Sequence, residues 1–275
     1  MTDDPTVNDV QSWRRERRHV FGEDAEIYDA SRPGYPEALV ADVVEFAALD
    51  GAPVVEVGAG TGKATLAFAA RGLSLTCVEP DPRMADVLAR NCAGSADVTV
   101  EVGDFETWRP AVPYGLLYSA QAWHWLDPEV RWARARAALR PGGALALFWN
   151  DWIVAGDGVE EELAAAHEPH LAGVASGAFN ELRPRSTVEG TESWVHEELA
   201  ADGGFTDVTY RRYESVHERS AQGLVDLLAS HSAYRVMPEE ARQALFADVR
   251  RVVQARGGTA RLETTTGLFL ARTVC

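Results

Sequence analysis

Residues 54–65 read Val54-Val55-Glu56-Val57-Gly58-Ala59-Gly60-Thr61-Gly62-Lys63-Ala64-Thr65, and this stretch decides the fold. Its valines predict a short strand that is buried in a parallel sheet. The glycines that follow carry no side chain, so a ligand can approach the backbone of this turn before a helix begins. The spacing is Gly-x-Gly-x-Gly rather than the Gly-x-Gly-x-x-Gly of dinucleotide-binding turns, which disfavours a nicotinamide cofactor.

Acidic residues follow the next two predicted strands. Residues 73–79 form a second predicted strand that ends at Glu79, 21 positions after Gly58, where folds of this kind bind ribose hydroxyls. Residues 97–102 alternate as a third strand and lead into Asp104. Because the carboxyl ends of parallel strands meet at one edge of a sheet, the sequence predicts a ligand site at that edge.

The rest of the chain continues the alternation of strands and helices. Asp81 is expected to cap a helix that begins at Pro82, and Asp127-Pro128 repeats this arrangement for a helix that runs to Leu139. A further helix is predicted at 37–49, and further strands at 114–120, 144–149, 208–216 and 260–274. This pattern predicts an α/β fold with a Rossmann-like, seven-stranded, mostly parallel sheet, helices on both faces and a helical cap.

We predict a single domain, because 275 residues can bury a full core. Residues 1–36 are interpreted as an N-terminal arm and lid, and residues 37–150 as the cofactor-binding core. Two mostly helical segments are expected to form a cap over the site. Two further segments are expected to form the C-terminal strands of the sheet. The cap segments are 151–204 and 219–257, and the C-terminal strand segments are 205–218 and 258–275.

Four motifs resemble those of the class I S-adenosylmethionine-dependent methyltransferases. They are Glu56-Val57-Gly58-Ala59-Gly60-Thr61-Gly62, Val78-Glu79-Pro80-Asp81, Gly103-Asp104-Phe105 and Leu139-Arg140-Pro141-Gly142-Gly143. Residues 28–36 and 120–125 are also similar to the small-molecule branch that includes trans-aconitate methyltransferases and enzymes of quinone methylation. The resemblance implies S-adenosylmethionine as the cofactor and a seventh strand inserted antiparallel at the sheet edge.

The resemblance also implies which residues bind the cofactor. Gly58 and Gly60 would approach its methionyl part, Glu79 would bind the ribose, and Asp104 would accept a hydrogen bond from the adenine amino group. Met84 would pack on the adenine, whose ring edge would be recognised by the backbone around Phe105. The other expected cofactor-binding residues are Glu56, Ala59, Thr61, Pro80, Gln121 and Arg32.

Aromatic residues are candidates for the substrate site, because aromatic faces attract a cation such as a sulfonium. The substrate-binding candidates are Tyr28, Tyr35, Trp123, Trp125, Asn150 and Trp152. Some of these rings are expected to belong to the core instead. Arg32 could pair with the cofactor carboxylate or be a surface arginine, and Gln121 could orient the substrate or bond the methionyl amine.

His124 is the candidate catalytic residue. An imidazole ordinarily titrates near neutral pH, so it could take a proton from a hydroxyl, acid or amine substrate as the methyl group is transferred. The alternative is a neutral histidine that orients a neighbour or bonds a carbonyl group between Trp123 and Trp125.

The charge and composition of the chain limit the kinds of molecule that it can bind. The chain has 26 basic and 42 acidic residues, and its net charge of -16 opposes binding to nucleic-acid phosphates. The basic run 14–18 is interrupted by Glu16 and is interpreted as a solvated helix face, with a nucleic-acid arm as the alternative. No leader or membrane-length apolar stretch is recognised, so we expect a cytoplasmic protein without membrane partners, as a monomer or homodimer.

Other catalytic patterns fail on spacing. His167-Glu168-Pro169-His170 misses the zinc-binding His-Glu-x-x-His pattern by one residue and contains a proline that disturbs a helix, so no metal site is predicted. The chain has no Gly-x-Ser-x-Gly elbow of a serine hydrolase. Its three cysteines are too few and too scattered for a disulfide framework.

We therefore predict an enzyme that transfers a methyl group from S-adenosylmethionine to a small organic molecule. The transfer would be an in-line displacement at oxygen, nitrogen or carbon beneath a closing helical lid. Two alternatives stay open, because the motifs specify the ligand and not what attacks it. One is cyclisation or lyase-type chemistry with the same cofactor, and the other is cofactor binding without turnover.

Overall fold

The computed structural model describes residue 22 and residues 25–95, 97–170 and 193–274. Most of the predicted N-terminal arm, with its basic run, lies outside the described residues. The same holds for residues 171–192 of the first predicted cap segment and for Cys275.

Seven strands form one sheet. They are β1 (Val54–Val57), β2 (Leu75–Glu79), β3 (Val98–Val102), β4 (Tyr114–Ala120), β5 (Leu139–Ala155), β6 (Phe205–Ser220) and β7 (Thr259–Thr273). Their order across the sheet is β3-β2-β1-β4-β5-β7-β6. The first five are parallel, whereas β7 pairs antiparallel with both β5 and β6. The prediction of a Rossmann-like, mostly parallel seven-stranded sheet is confirmed.

The C-terminal strands differ from the prediction in position and length. β7 lies between β5 and β6, so the expectation of a seventh strand at the sheet edge is wrong, and β6 is the outer strand. β5 has 17 residues and β6 has 16, well beyond the predicted 144–149 and 208–216. Pairing with β7 supplies hydrogen-bond partners for their backbone groups, which explains the extra length.

The described residues form ten α-helices. They are α1 (Ala25–Ser31), α2 (Glu37–Ala47), α3 (Lys63–Ala69), α4 (Pro82–Asn91), α5 (Arg131–Ala138), α6 (Val159–His167), α7 (Ser193–Asp202), α8 (Ala221–Ala229), α9 (Ser232–Arg235) and α10 (Glu239–Ala255). None of them combines the length and apolar composition needed to cross a membrane.

The two predicted helix starts have different outcomes. Asp81 caps α4 as predicted, because its side chain accepts a hydrogen bond from the Arg83 N–H at 2.9 Å. Asp127 does not cap α5, which begins only at Arg131. The Asp127 side chain accepts from the Glu129 N–H at 3.0 Å instead, within the turn that precedes the helix.

Apolar side chains form three buried clusters. One lies between the sheet and helices α2 and α3, and a second lies between the opposite face of the sheet and helices α5 and α7. The third joins α6, α8, α9 and α10, which we call the cap, to the far ends of β5 and β7. The sheet is therefore covered on both faces, and the cap has a core of its own.

Phe148 is central to the first cluster and gives a test of the packing. Its fully buried ring lies 6.1 Å from the ring of Tyr118 and 6.3 Å from that of Phe68, centroid to centroid. Phe148→Ala is expected to lower the free energy of unfolding by about 3–5 kcal/mol through lost contacts and a cavity. Chemical denaturation measures this change. Val102→Ala, at a 59% exposed side chain, is the control and should cost less than about 0.5 kcal/mol; comparable losses would contradict the described packing.

Candidate functional site

The turn between β1 and α3 forms the floor of the site. The Gly58 N–H donates to the Val78 carbonyl at 2.8 Å, which holds the turn against β2. Gly58 and Gly60 have φ values of +70° and +57°, in the left-handed region that favours glycine. A Cβ atom at Gly58 would lie 2.3 Å from the Cβ of Ala122, so a side chain would collide with the segment after β4.

A cleft opens above this turn, and we call it the site cavity. It has a volume of about 510 Å³, including its open mouth. Residues from α1, the glycine turn and the ends of β4 and β5 surround it. Its lining consists of Tyr28, Arg32, Pro33, Tyr35, Glu56, Gly58, Ala59, Gly60, Thr61, Lys63, Ala64, Ala120, Gln121, Asn150 and Trp152.

The structure brings many of the predicted site residues together at this cavity. The expected cofactor-binding residues that line it are Arg32, Glu56, Gly58, Ala59, Gly60, Thr61 and Gln121, and the expected substrate-binding residues are Tyr28, Tyr35, Asn150 and Trp152. The predicted residues outside its lining are Glu79, Pro80, Met84, Asp104, Phe105, Trp123, His124 and Trp125.

The end of β2 is bonded to the glycine turn. Glu79 accepts hydrogen bonds from the backbone N–H groups of Gly60 at 2.8 Å and Asp81 at 3.0 Å. Met84 of α4, the helix that follows β2, packs against Ala25 of α1 in a small buried cluster. The acidic end of β2 is thus linked directly to the glycine turn, and α4 is in contact with α1.

Helix α1 and the residue after it contact both sides of the site. Asp29 lies 3.5 Å from the ammonium group of Lys63, at the start of α3. The guanidinium of Arg32 donates to the Ser230 carbonyl of the cap at 3.2 Å and lies over the ring of Tyr28. The ion pair between Asp29 and Lys63 is partly exposed and therefore of modest strength.

Glu56 is a buried carboxylate beneath the glycine turn. Its Oε2 accepts hydrogen bonds from Thr65 at 2.5 Å and Tyr118 at 2.8 Å, with the Cys77 thiol at 3.9 Å. Burial raises the pKa of Glu56 to about 7, the nearby charge of Glu79 adds to the rise, and the hydrogen bonds oppose it. Near neutral pH this group can therefore hold or release a proton beside the cavity.

Two buried polar atoms of cavity-lining residues lack hydrogen-bond partners among the described residues. They are the hydroxyl of Thr61 and the Nε of Arg32. Buried polar atoms are nearly always hydrogen-bonded in native proteins, because an unsatisfied one costs about 1–3 kcal/mol. These two atoms therefore need a hydrogen-bond partner, which water or a bound polar ligand can supply.

His124 and its two tryptophan neighbours lie in a short 3₁₀ turn after β4. The indole N–H of Trp149 donates to Nδ1 of His124 at 3.1 Å, so a neutral ring carries its proton on Nε2. Trp123 is fully buried in the second cluster, with its ring 5.2 Å from that of Trp132. Its predicted substrate contact is corrected here: Trp123 is a core residue, whereas Trp125 is partly exposed beside His124.

Sequence reasoning did not select four residues that line the cavity. They are Pro33, Lys63, Ala64 and Ala120. Lys63 could have been found, because the residue directly after a glycine turn begins the helix that faces the ligand. The alanines carry no chemical signal, and only the fold shows that their small side chains leave room at the cavity wall.

The histidines of the rejected zinc pattern have other partners. His167 lies 2.6 Å from the Leu163 carbonyl and 3.0 Å from the Tyr234 hydroxyl, and His170 lies 2.9 Å from Asp248. Burial lowers the pKa of His167. Within the described ranges, no group of three or more His, Cys, Asp or Glu residues is placed to hold a metal ion.

An open α/β sheet with a glycine turn after β1 and acidic groups at the ends of β2 and β3 is typical of nucleotide-binding domains. Residues 54–143 match a family model described as a methyltransferase domain. An uncharacterized methyltransferase of Bacillus velezensis is 32% identical over 160 residues, covering 58% of this chain and 69% of that protein. The chain belongs to the class I S-adenosylmethionine-dependent methyltransferases.

Similarity also extends over almost the full length of the chain. An uncharacterized methyltransferase of Mycobacterium tuberculosis is 29% identical over 263 residues, covering 95% of this chain and 96% of that protein. A solved structure from Anaeromyxobacter dehalogenans, assigned as a type II methyltransferase, has a TM-score of 0.61 at 21% identity. The superposition covers 88% of this chain and 98% of that chain, and at this low identity it shows a shared fold only.

The raised pKa of Glu56 predicts how stability depends on pH in the cofactor-free protein. Between pH 4.5, the ordinary pKa of a glutamate, and about pH 7, the unfolded chain has released this proton and the folded chain holds it. As the pH rises through this range, the unfolding free energy of the wild type should fall by up to about 3 kcal/mol relative to that of Glu56→Gln. Above about pH 7 the difference should stay constant. Denaturation curves at several pH values measure the difference, and a constant difference would contradict the prediction.

Proposed function

We propose that the protein methylates a small organic molecule at oxygen, nitrogen or carbon, with S-adenosylmethionine as the methyl donor. The observation that carries this proposal is one cavity that joins the glycine turn to the rings of Tyr28, Tyr35 and Trp152. The turn offers backbone and hydroxyl groups to a cofactor, and the rings offer apolar faces to an organic acceptor. The net charge of -16 further favours a small molecule over a nucleic acid.

The methionyl end of the cofactor fits the polar groups that line the cavity. The Thr61 hydroxyl and the Arg32 Nε, both without described partners, are suited to hydrogen-bond a polar ligand. A guanidinium pairs well with a carboxylate, so we assign the cofactor carboxylate to Arg32. We assign the cofactor's amino group to Glu56 and Gln121, because a carboxylate and an amide oxygen can accept hydrogen bonds from an ammonium group.

The adenosine end fits the residues that follow β2 and β3. Oε2 of Glu79 accepts a hydrogen bond from the Gly60 N–H and Oε1 accepts one from the Asp81 N–H. A carboxylate can accept several hydrogen bonds, which suits ribose hydroxyls. Asp104 would accept from the adenine amino group, with Met84, Pro80 and Phe105 around the ring. Because α1 covers Met84, we propose that α1 acts as a lid that moves when the cofactor enters.

The chain's residues would act mainly by positioning. When bound, S-adenosylmethionine supplies a methyl group on a positively charged sulfur, for which no covalent enzyme intermediate is needed. Tyr28, Tyr35 and Trp152 present aromatic faces that favour a cation. Asn150 is held by Thr266 and by the Gly34 carbonyl, which keeps its backbone and side chain fixed at the cavity wall. Holding the acceptor in line and excluding water lowers the barrier.

We propose that the cap selects the acceptor. The ring of Trp152, which lines the cavity, lies 5.7 Å from the ring of His231 in the cap. Arg32 also bonds the cap, through the Ser230 carbonyl. One side chain and one backbone carbonyl of the cap thus contact two residues of the cavity wall, and they can shape the acceptor end without touching the glycine turn.

The assay that tests the proposal uses S-adenosylmethionine with an isotopically labelled methyl group and a panel of hydroxyl, carboxyl and amine compounds. Methylated acceptor, detected by mass spectrometry together with S-adenosylhomocysteine, supports the proposal. Cofactor consumed in the absence of any acceptor would instead support cyclisation or lyase-type chemistry. Binding without turnover across the panel would contradict the proposed substrate range.

Two glycines form a matched pair for testing cofactor binding. Gly58 and Gly72 have nearly equal φ values of +70° and +72°, but a Cβ at Gly72 has no neighbour within 4 Å. Both alanine variants should lose about 1–2 kcal/mol through backbone strain, and Gly58→Ala should lose more because its Cβ would lie 2.3 Å from the Cβ of Ala122. Only Gly58→Ala should also weaken S-adenosylmethionine binding, by about tenfold or more, since the turn must move to relieve this clash. Calorimetry measures both affinities, and equal affinities would contradict the role of this turn.

We propose that His124 is a positioning residue beside the acceptor rather than the base. The hydrogen bond from Trp149 occupies Nδ1, so a base role would require this bond to break. We expect His124→Ala to lower kcat by less than about tenfold and to leave the pH profile unchanged, with kcat and KM measured from pH 6 to 9. A loss of about 10²–10⁴ in kcat, with a changed profile, would identify a general base instead.

A further inference from the structure

The outer strand of the sheet, β6, is long, and the described residues leave most of its side chains exposed. It has 16 residues, whereas strands are typically about 5–6 residues long. It pairs with β7 on one side, and no described strand pairs with its other edge. Most of its side chains are exposed, including Val208 and Val216 at 36% and 53%. Such an edge presents unpaired backbone groups that can bind another strand.

The charges along β6 favour one partner, which is β6 of a second copy. In a symmetric antiparallel pair, one residue must lie opposite itself at the two-fold axis. With Tyr213 at the axis, Arg212 of each copy lies opposite Glu214 of the other. A shift of the axis by one residue would place Arg212 opposite Arg212, or Glu214 opposite Glu214. Opposite charges stabilise a cross-strand pair and like charges destabilise it, so the charges favour the register centred on Tyr213 over the two neighbouring registers.

The side chains needed for this contact are available. Arg212 and Glu214 are both exposed, and neither forms an ion pair with another described residue. The adjacent residues Arg211 and Tyr213 do have partners. The hydroxyl of Tyr213 donates to Asp42, and Arg211 forms an ion pair with Asp42 at 2.6 Å. Since successive side chains point to opposite faces, the bonds to Asp42 hold one face while Arg212 and Glu214 project from the other.

The same register also pairs apolar side chains. Tyr210 lies opposite Val216 of the second copy, and an aromatic residue beside a β-branched one is a favourable cross-strand pair. Two chains of net charge -16 repel each other at long range. That repulsion is screened over about 8 Å at physiological ionic strength, whereas the paired side chains would act at contact distance.

We infer that the protein forms a symmetric homodimer in which β6 pairs antiparallel with β6 of a second copy, centred on Tyr213. This joins the two seven-stranded sheets into one continuous sheet. The inference is independent of the proposed function, because the contact uses none of the residues that line the site cavity.

A charge-swap experiment tests the register. Sedimentation velocity of the full chain at about 0.15 M salt should show a dimer for the wild type. Arg212→Glu alone and Glu214→Arg alone should each weaken association by about tenfold or more, because like charges then face each other twice. The double variant Arg212→Glu/Glu214→Arg should recover the dimer, since the opposite charges are restored.

Two controls separate this effect from misfolding and from net charge. The thermal unfolding midpoint, measured by circular dichroism, should be close to that of the wild type for all three variants, because both positions are exposed. Arg109→Glu, an equal change of charge at an exposed position away from β6, should leave the dimer intact. A monomeric wild type, single variants that still form the dimer, or a double variant that does not recover it would each overturn the inference.

Discussion

A buried carboxylate, that of Glu56, connects the glycine turn to the rest of the sheet. Thr65 of α3 and Tyr118 of β4 both donate to its Oε2, and Cys77 of β2 lies beside the same atom. Burial alone would make this acidic group costly, and the donors recover part of that cost. Because they come from separate elements, they also fix β2, β4 and α3 relative to β1. The position at which a ligand meets the backbone depends on this cluster.

The first half of the fold was predictable because local signals mark its elements. β1 to β4 combine apolar runs with flanking glycine, proline or acidic residues, and α4 begins at an Asp81 cap. The same reasoning failed at Asp127, where an aspartate followed by proline forms a turn instead of a cap. The lengths of β5 and β6 and the inner position of β7 were not readable, because they arise from long-range pairing and not from local sequence.

At the site, the sequence was informative where function acts through the backbone. Positive φ values and the close approach of other groups to the backbone favour glycine, so Gly58 and Gly60 identify the turn in the sequence. Aromatic residues carry no such signal, because a ring serves a core as well as a pocket. Trp123 and Trp125 are two residues apart, yet only the fold shows that Trp123 is buried against Trp132. The orientation of His124 likewise depends on Trp149, which belongs to another strand.

The antiparallel ladder between β5 and β7 has a consequence for how acceptor preference can diverge. Parallel pairing with β4 stops at Phe148, but β5 and β7 stay paired as far as Ala155 and Arg261. In this ribbon β7 also pairs with β6, as far as Thr259 and Ser220, so three antiparallel strands extend beyond the parallel sheet. The cap residues pack around the far ends of β5 and β7. With the proposed role of the cap, insertions or exchanges beyond the ribbon would remodel the acceptor end and leave the nucleotide end unchanged. Chimaeras joined on this ribbon would therefore keep one donor while accepting different molecules.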